Sequence, residues 1–338
     1  MSAAYTSGMD RTDRRIVQCL LYDGRAPFRR IAEVADVSQQ TAARRYRALR
    51  TDGAVRVRAL PSHNARGEAT WFVRIQTRPD ATETLAEALA AREDTAYVST
   101  TSGGAEIICQ TRTDPRHANG SVLHRLPRTA QVLAYQAHAV LHMHLGDGSK
   151  WLAFDDPLTP GQLVHLRGGT RSDWGKPVSD QPGATLRESD APLLTELTRD
   201  GRASIAELAR ATAWPEARVS ARLDELLTGG ALHIAVDLAY SRFGFDATAY
   251  LWLTVTPGQL TTIGDTLAQH PETTFAAAVT GSANLLVTVT CRTLEDLYHY
   301  VTTKIGALDA VRQVDVVPVL NRHKQAGTRL KDGRLLPA

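Results

Sequence analysis

The sequence predicts an α+β fold in which one unit of about 145 residues occurs twice within 338 residues. The first observation is a repeat, because the Asp-Gly-Arg-Ala run at Asp23 to Ala26 recurs 177 positions later at Asp200 to Ala203. The second is that each copy begins with patterns for three short helices. The third is that each copy continues in the order β-α-β-β-α-β, which is typical of a ferredoxin-like domain.

The three helix patterns of the first copy are followed by a short strand pattern. Apolar residues spaced for one helix face predict helices over residues 13–21, 28–35 and 39–51, and Ser38 is a good N-cap for the third. Residues 54–60 alternate apolar and basic side chains, which predicts an edge strand. Together these elements describe a winged helix-turn-helix, whose third helix lies in the major groove of DNA.

The charge distribution supports this interpretation. Residues 1–66 carry thirteen Arg, no Lys and six acids, a net charge of +7, whereas the whole chain carries +3. A basic block at one end of a nearly neutral chain favours an anionic polymer as partner. The alternative is a small helical bundle with a solvated basic face.

Candidate DNA-binding residues lie on the outer face of the third helix and on the strand after it. Gln can pair with adenine and Arg with guanine, while other arginines reach phosphates. We predict that the groove is read by Gln39, Gln40, Thr41, Arg44 and Arg47, and that phosphates are held by Arg50, Arg56 and Arg58. Because only one bundle per chain has this face, a palindromic site is expected to need a homodimer joined through its sheets.

The second copy keeps the apolar positions of its helical bundle and loses the basic face. At the 177-residue offset, Gln39, Arg44, Arg47 and Arg50 become Glu216, Ala221, Asp224 and Leu227. An acidic helix repels DNA, so we expect this bundle to be a structural or dimerising element. Arg45 persists as Arg222, which predicts that it braces the bundle instead of contacting DNA.

The remainder of each copy predicts the sheet domain, and composition shifts give the boundaries. Strand patterns cover 70–77, 97–101, 106–111 and 131–144 in copy one, and 247–256, 273–279, 285–290 and 311–320 in copy two. The predicted domains are 1–62 (winged helix-turn-helix), 66–146 (ferredoxin-like), 147–185 (a linker with one short helix), 186–240 (degenerate helix-turn-helix), 244–322 (second ferredoxin-like) and 323–338 (a frayed tail).

These residues resemble the Lrp/AsnC (feast/famine) family of transcriptional regulators. The resemblance rests on Asp13 to Ile16, the Asp23 to Ala26 run, Ile31 to Ala35, Arg45-Tyr46-x-x-Leu49 and Gly53 to Val55 in the first copy, and on Asp309 to Val311 in the second. It implies a DNA-binding domain followed by a regulatory domain that senses small molecules, often amino acids. Family members usually hold one such unit, so this chain resembles a tandem duplicated form.

The same resemblance implies an effector site at the loop between the second and third strands of each regulatory domain. The candidates are Ser102, Gly103, Gly104 and Glu106 in copy one, and Thr280, Gly281 and Asn284 in copy two. Glu106 can pair with an ammonium group, whereas Asn284 lacks that charge. The simpler interpretation of the glycines is a tight hairpin that needs positive φ.

Two alternative functions remain open. The first is an enzyme, because the predicted fold also resembles that of sirohaem decarboxylases, some of which are fused pairs. The residue pairs His63-Asn64 and Trp71-Phe72 are similar to residues of those enzymes. The other alternative is a protein-interaction module that does not bind DNA. His138, His142 and His144 share strand parity and are interpreted as an interface or solvated face, not as metal ligands.

Composition excludes several classes of protein. The chain has no run of about 18 apolar residues and no apolar leader after Met1, so neither a membrane span nor a secretory signal is predicted. Cys19, Cys109 and Cys291 lie far apart, which fits a reducing compartment. We therefore expect a cytoplasmic DNA-binding regulator that is not an enzyme and has neither cofactor nor metal.

Overall fold

The computed structural model describes residues 9–62, 68–113, 120–146, 154–167 and 184–337. The helices are α1 (Arg11–Tyr22), α2 (Phe28–Ala35), α3 (Gln39–Thr51), α4 (Thr82–Ala90), α5 (Val122–Arg125), α6 (Pro160–Arg167), α7 (Ala191–Arg199), α8 (Ile205–Thr212), α9 (Glu216–Thr228), α10 (Leu260–Ala268) and α11 (Leu294–His299). The strands are β1 (Val55–Pro61), β2 (Ala69–Thr77), β3 (Thr95–Thr101), β4 (Glu106–Thr113), β5 (Val132–Leu145), β6 (Leu232–Leu238), β7 (Ala247–Val255), β8 (Thr273–Val279), β9 (Leu285–Cys291), β10 (Val311–Gln325), β11 (Thr328–Lys331) and β12 (Arg334–Leu335).

The chain forms two compact units, each assembled from both sequence copies. The helical unit falls within residues 9–67 and 154–238, and the sheet unit within residues 68–153 and 239–337. Each unit therefore pairs corresponding parts of the repeat. Among the described residues, no helix is long and apolar enough to cross a membrane.

The helical unit holds two three-helix bundles, α1–α3 and α7–α9. In the first, the Asp10 side chain caps α1, and the Ser38 hydroxyl accepts from the Thr41 amide at 3.1 Å to begin α3. The apolar face of α3 then buries Tyr46 and Leu49 at 4% exposure. The predicted bounds of α2 and α3 are those of the structure, because the apolar spacing defines both helices and the Ser38 cap fixes the start of α3.

The wing strands of the two bundles pair with each other. β1 and β6 run antiparallel over seven residue pairs, and Arg58 lies opposite Ala235, its own equivalent in the repeat. Val55, Val57 and Ala59 are 0–3% exposed. The predicted edge strand is therefore one of two strands in a small sheet and is buried, because the second copy supplies its partner.

The repeated Asp-Gly-Arg-Ala run joins the two bundles reciprocally. The Arg25 guanidinium donates to the carbonyl of Gly201, at 2.5 Å, and to that of Ala203. Arg202 donates in the same way to the carbonyls of Gly24, at 2.6 Å, and Ala26. These exchanged contacts relate the bundles by a local two-fold arrangement.

Close approach explains the glycines in this run better than helix termination does. A Cβ on Gly201 would lie 2.6 Å from the backbone carbon of Arg58, and one on Gly24 would lie 2.4 Å from a methyl of Ile234. Neither glycine has a positive φ. Gly24 therefore does not take the left-handed conformation that glycine often has at a helix end.

The sheet unit contains two β-α-β-β-α-β domains, one from each copy. In the first, α4 and α5 cover the sheet β3-β4-β2-β5, and in the second, α10 and α11 cover β8-β9-β7-β10. The inner faces of both sheets share an aromatic core that includes Phe72, Tyr250, Trp252 and Phe275. The two domains therefore have one common interior.

Two long strands cross from one sheet to the other. The first half of β5 pairs with β2, and residues from Val140 onward pair with β8 of the other copy. The strand β10 pairs first with β7 and then, from Val319 onward, with β3. Each sheet is thus completed by a strand from the other copy.

Two segments outside the predicted copies form regular structure. Contrary to the predicted frayed tail, β10 continues to Gln325, and a hairpin of β11 and β12 follows. Within the predicted linker, helix α6 packs on the first bundle, where Arg30 donates to the Leu166 carbonyl at 3.1 Å. The glycine-containing residues 168–183 of the predicted linker lie outside the described residues.

Candidate DNA interface and regulatory loops

The outward face of α3 carries four of the predicted groove-reading side chains. Gln39, Gln40, Arg44 and Arg47 are all exposed. Thr41 is half-buried, and its hydroxyl lies 2.9 Å from the Ser38 hydroxyl at the helix start. The first turns of α3 therefore combine amide and guanidinium groups on one accessible surface.

Arg45 points to the other side of the helix, as the repeat predicts. Its Nη1 lies 2.7 Å from Asp10 and 3.2 Å from Asp13, at the start of α1. Burial and the adjacent Asp10 carboxylate raise the pKa of Asp13, and Arg45 opposes that rise. The equivalent Arg222 pairs with Asp190 at 2.6 Å. The prediction that this arginine braces each bundle is confirmed.

The three predicted phosphate-holding arginines occupy different surroundings from those expected. Arg50 is half-buried and pairs with Asp200 at 2.6 Å. Arg56 and Arg58 are only 8% and 5% exposed. Arg58 donates to Asp237 at 3.0 Å within the paired wings. The two wing arginines of the predicted phosphate set are therefore buried where β1 pairs with β6.

The second bundle presents a different surface at the matching helix. Glu216, Ala221 and Asp224 are exposed on α9, and Arg218 lies 4.0 Å from the Trp214 ring centroid. The helix begins at Pro215 without a side-chain cap, whereas Ser38 caps α3. The two bundles share a scaffold and differ in the charge of their outward helix.

A segment of the predicted linker holds the first bundle, which the sequence did not indicate. Asp156 lies 3.1 Å from Arg11 and 2.6 Å from Arg15 on α1. Leu166 on α6 is fully buried against this bundle. The signal available in the sequence was one short apolar helix pattern, which does not identify its packing partner.

The β3–β4 loop does not leave Glu106 available for a ligand. This side chain is 4% exposed, and its oxygens accept from Arg74 at 2.7 Å, Thr101 at 3.0 Å and Ser102 at 2.9 Å. Arg74 also donates to Asp315 at 2.7 Å. The carboxylate expected to meet an ammonium group is therefore already neutralised by Arg74, a residue that sequence reasoning missed.

The rest of this loop is a tight turn. Ser102 has a φ of 51°, Gly103 of 67° and Gly104 of 89°. Ser102 and Gly103 are exposed. The hairpin interpretation of these glycines agrees with this geometry.

The β8–β9 loop is fixed to its neighbours in a different way. The Asn284 side chain makes two 2.8 Å hydrogen bonds with the backbone of Val255. The Thr280 carbonyl lies 2.6 Å from His138 Nδ1, and a Cβ on Gly281, which has a φ of 117°, would lie 2.5 Å from that ring. Asn284 therefore fixes the loop by both accepting and donating a hydrogen bond, which a carboxylate could not do.

A small cavity lies inside the sheet unit, in the aromatic core. Its volume is about 20 Å3, and it is lined by Phe72, Tyr97, Tyr240, Tyr250, Thr274, Phe275, Thr288 and Arg322. A space of this size holds about one water molecule. Burial raises the pKa of Tyr250, whose hydroxyl lies 3.2 Å from the Ser99 hydroxyl.

The three histidines of β5 make different contacts. His138 stacks on Trp252 with ring centroids 4.7 Å apart, and His144 lies 2.8 Å from Asp265. The His142 and His144 rings touch edge to face. Within the described ranges, no group of three or more His, Cys, Asp or Glu is arranged to hold a metal ion.

Two family models match the chain. Residues 9–50 match the AsnC-type helix-turn-helix domain, and residues 248–328 match the Lrp/AsnC ligand binding domain. The first match contains α1, α2 and α3 up to Arg50, and the second contains most of the second ferredoxin-like domain.

Proteins with similar sequences are named as HTH-type transcriptional regulators. An uncharacterized HTH-type transcriptional regulator of Pyrococcus abyssi is 28% identical over 131 residues, covering 38% of this chain and 83% of its own length. The HTH-type transcriptional regulator FL11 of Pyrococcus horikoshii is 23% identical over 141 residues, covering 41% and 93%.

A solved structure shares the fold of nearly the whole chain. The siroheme decarboxylase NirDL, in complex with an iron-uroporphyrin III analogue, aligns with a TM-score of 0.60 at 13% identity, covering 93% of this chain and 92% of that one. This finding overturns the expectation that the chain is not an enzyme, because an enzyme is built on the same fold.

Proposed function

The chain carries both domains of the Lrp/AsnC family, which confirms the resemblance found in the sequence, and on this premise we propose that it is a sequence-specific DNA-binding transcriptional regulator. The observation that supports this proposal is the outward face of α3. It presents Gln39, Gln40, Arg44 and Arg47 to solvent on a helix held by a capped turn and an internal Arg45 brace. In this reading the chain is a tandem duplication of one regulator unit.

The side chains of α3 suit contact with base edges. A glutamine pairs with adenine through two hydrogen bonds, and an arginine with guanine, each contributing about 1–3 kcal/mol of discrimination. Gln39 and Gln40 lie in the first turn, and Arg44 and Arg47 lie one and two turns further on. We assign groove reading to these four residues and leave Arg56 and Arg58 out of the phosphate set, because both are buried.

The test is a DNA titration by fluorescence anisotropy across a salt series. The probes are the DNA upstream of the protein's own gene and a shuffled duplex. Replacing Arg44 and Arg47 together by Ala is expected to weaken binding at least about 30-fold, from roughly 2 kcal/mol or more in lost contacts. Arg218→Ala, which removes an exposed arginine at the start of α9, is the matched control and should bind like the wild type.

The salt series measures the phosphate contacts, and the comparison of the two duplexes measures sequence reading. A steep fall of log K with log salt, together with preference for the native fragment, supports a regulator. Equal losses in both variants would contradict the roles given to the two bundles. Flat, weak binding to both duplexes would refute the proposed function.

We further propose that the regulatory loops border a small-molecule site, with Ser102 and Gly103 as its accessible part in the first copy. Glu106 and Asn284 shape the two loops instead of contacting the ligand, since their polar atoms are hydrogen-bonded internally. Adding each of the twenty amino acids in turn to the anisotropy assay tests this. A change in DNA affinity with one of them, lost in Ser102→Ala, supports the site.

Association of whole chains through their sheets stays a prediction. The sheets of the two copies already complete one another within a chain, through β5 and β10. Sedimentation at several protein concentrations measures whether chains associate further.

A sirohaem-decarboxylase-like activity is the second candidate, favoured by the shared fold over 93% of the chain. The small cavity of the sheet unit holds about one water molecule, so a tetrapyrrole would have to bind elsewhere on the chain. A tetrapyrrole with several carboxylates would need far more room and charge. His63 and Asn64, which are similar to residues of these enzymes, lie outside the described residues. A haem-like absorbance band in the purified protein would support the enzymatic function.

A further inference from the structure

We infer that one chain recognises a single DNA half-site, so that its target sequence is asymmetric instead of palindromic. This inference rests on the proposed function and specifies the DNA partner. It departs from the expectation that two chains must join on a palindrome. Its basis is the combination of a two-fold scaffold with two unlike outward helices.

The two-fold scaffold is complete within the helical unit. Arg25 and Arg202 exchange equivalent contacts with the backbone of the opposite bundle. The β1–β6 ladder places Arg58 opposite its own repeat equivalent, Ala235. The second bundle therefore occupies the place that a second subunit would take beside the first.

The surface that joins the bundles is also closed to another copy. Residues of β1 from Val55 to Ala59 are buried, and the Arg58–Asp237 ion pair lies within the same interface. The Gly201 Cα packs against the Arg58 backbone, where even a methyl group does not fit. The second bundle of the chain already occupies this surface of the first bundle. Another chain could pair there only by displacing it.

The outward helices differ in charge at equivalent positions. The helix α3 contains no acidic residue and exposes Arg44 and Arg47, where α9 exposes Ala221 and Asp224. Glu216 stands at the start of α9, where Gln39 stands in α3. Carboxylates near phosphates oppose binding that depends on backbone charge. The second helix is thus placed for DNA and prevented by its charge from holding it.

The first experiment identifies the target from the full-length chain. Duplexes are selected from a pool with 30 random base pairs, and the enriched motif is analysed for symmetry. We expect one half-site without its inverted copy, bound by one chain per duplex in native mass spectrometry. Adding an inverted copy to the selected duplex is expected to change affinity less than about two-fold, the statistical gain of a second site.

The second experiment restores the missing charge. The exposed substitutions Glu216→Gln, Ala221→Arg and Asp224→Arg copy α3 onto α9. This triple variant is expected to bind inverted repeats, with centres one or two helical turns apart, at least ten-fold more tightly than the wild type does. On the single half-site the two proteins should bind alike, and matched thermal unfolding serves as the folding control.

The outcomes distinguish this inference from the proposed function. A palindromic motif, or two wild-type chains on the selected duplex without an added copy, would overturn the single half-site. A triple variant with no preference for any inverted repeat would overturn the claim that charge silences α9. Failure to enrich any motif would instead refute DNA reading itself.

Discussion

The buried ion pair between the wings allows one prediction to be worked out closely. Arg58 Nε lies 3.0 Å from the Asp237 carboxylate, and the two side chains are 6% and 3% exposed. Asp237→Asn keeps the size of this side chain and removes its charge. Breaking a buried pair by neutralising one partner costs about 3–5 kcal/mol, because the other charge stays buried.

Thermal unfolding followed by circular dichroism measures this loss. For 150–250 residues, each kcal/mol shifts Tm by roughly 2–4 °C, so Asp237→Asn should lower the Tm of the helical unit by between about 6 and 20 °C. Replacing both partners, as Arg58→Met with Asp237→Leu, should recover most of the loss, since apolar substitutes of similar size are often neutral or stabilising.

The same double variant separates the structural role of Arg58 from a role on DNA. If Arg58 held a phosphate, its removal would reduce the slope of log K against log salt by about 1. We expect an unchanged slope. A wild-type Tm in Asp237→Asn would refute the argument from burial, and a reduced slope in the double variant would return Arg58 to the phosphate set.

Three further predictions concern close contacts and an ion pair in the helical unit. Gly201→Ala should lower stability by about 1–3 kcal/mol in urea unfolding, because its Cβ meets the Arg58 backbone, whereas Gly24→Ala should cost less because it meets a side-chain methyl group; equal losses would contradict this. Arg222→Ala should cost about 3–5 kcal/mol by leaving Asp190 buried without its ion-pair partner, and a loss below 1 kcal/mol would contradict it. Burial raises the pKa of Asp190, but hydrogen bonds from Arg222 outweigh this effect and hold the pKa below its usual value. The ion pair therefore stabilises the fold above about pH 4, and this contribution is lost as the pH falls through the lowered pKa. Asp190→Asn should flatten that acid-dependent part of the unfolding free energy, and an unchanged pH profile would contradict the assignment.

Local patterns in the sequence predict much of the helical bundles. The bounds of α2 and α3 follow from apolar spacing, together with the Ser38 cap at the start of α3, and these signals act within a few residues. Comparing the two copies adds information that one copy lacks. Arg45 persists where the basic face is lost, which identified it as a brace before its contacts with Asp10 and Asp13 were known.

Contacts between the copies are what the sequence does not reveal. The alternation of Val55 and Val57 with Arg56 and Arg58 is typical of a half-exposed strand, but β6 covers the exposed half. Arg50 likewise pairs with Asp200, 150 residues away. Nothing in a local pattern identifies a partner at such a distance.

The regulatory loops show the same limit. The glycine pattern correctly indicates a tight turn at Gly103, since positive φ is a local requirement. The availability of Glu106 depends on Arg74, which lies on another strand. A carboxylate in a loop is a candidate ligand contact only while no neighbouring cation occupies it.

The crossing strands also bear on how the protein is made. The strand β3 pairs with the part of β10 that begins at Val319, which is synthesised more than two hundred residues later. At ribosomal speeds of about 5–20 residues per second, roughly 10–45 s pass between the synthesis of the two strands. During that interval the nascent first sheet has an unpaired edge, a template for pairing with other chains. Synthesis of this protein is therefore expected to depend on chaperones that shield that edge until the last strand leaves the ribosome.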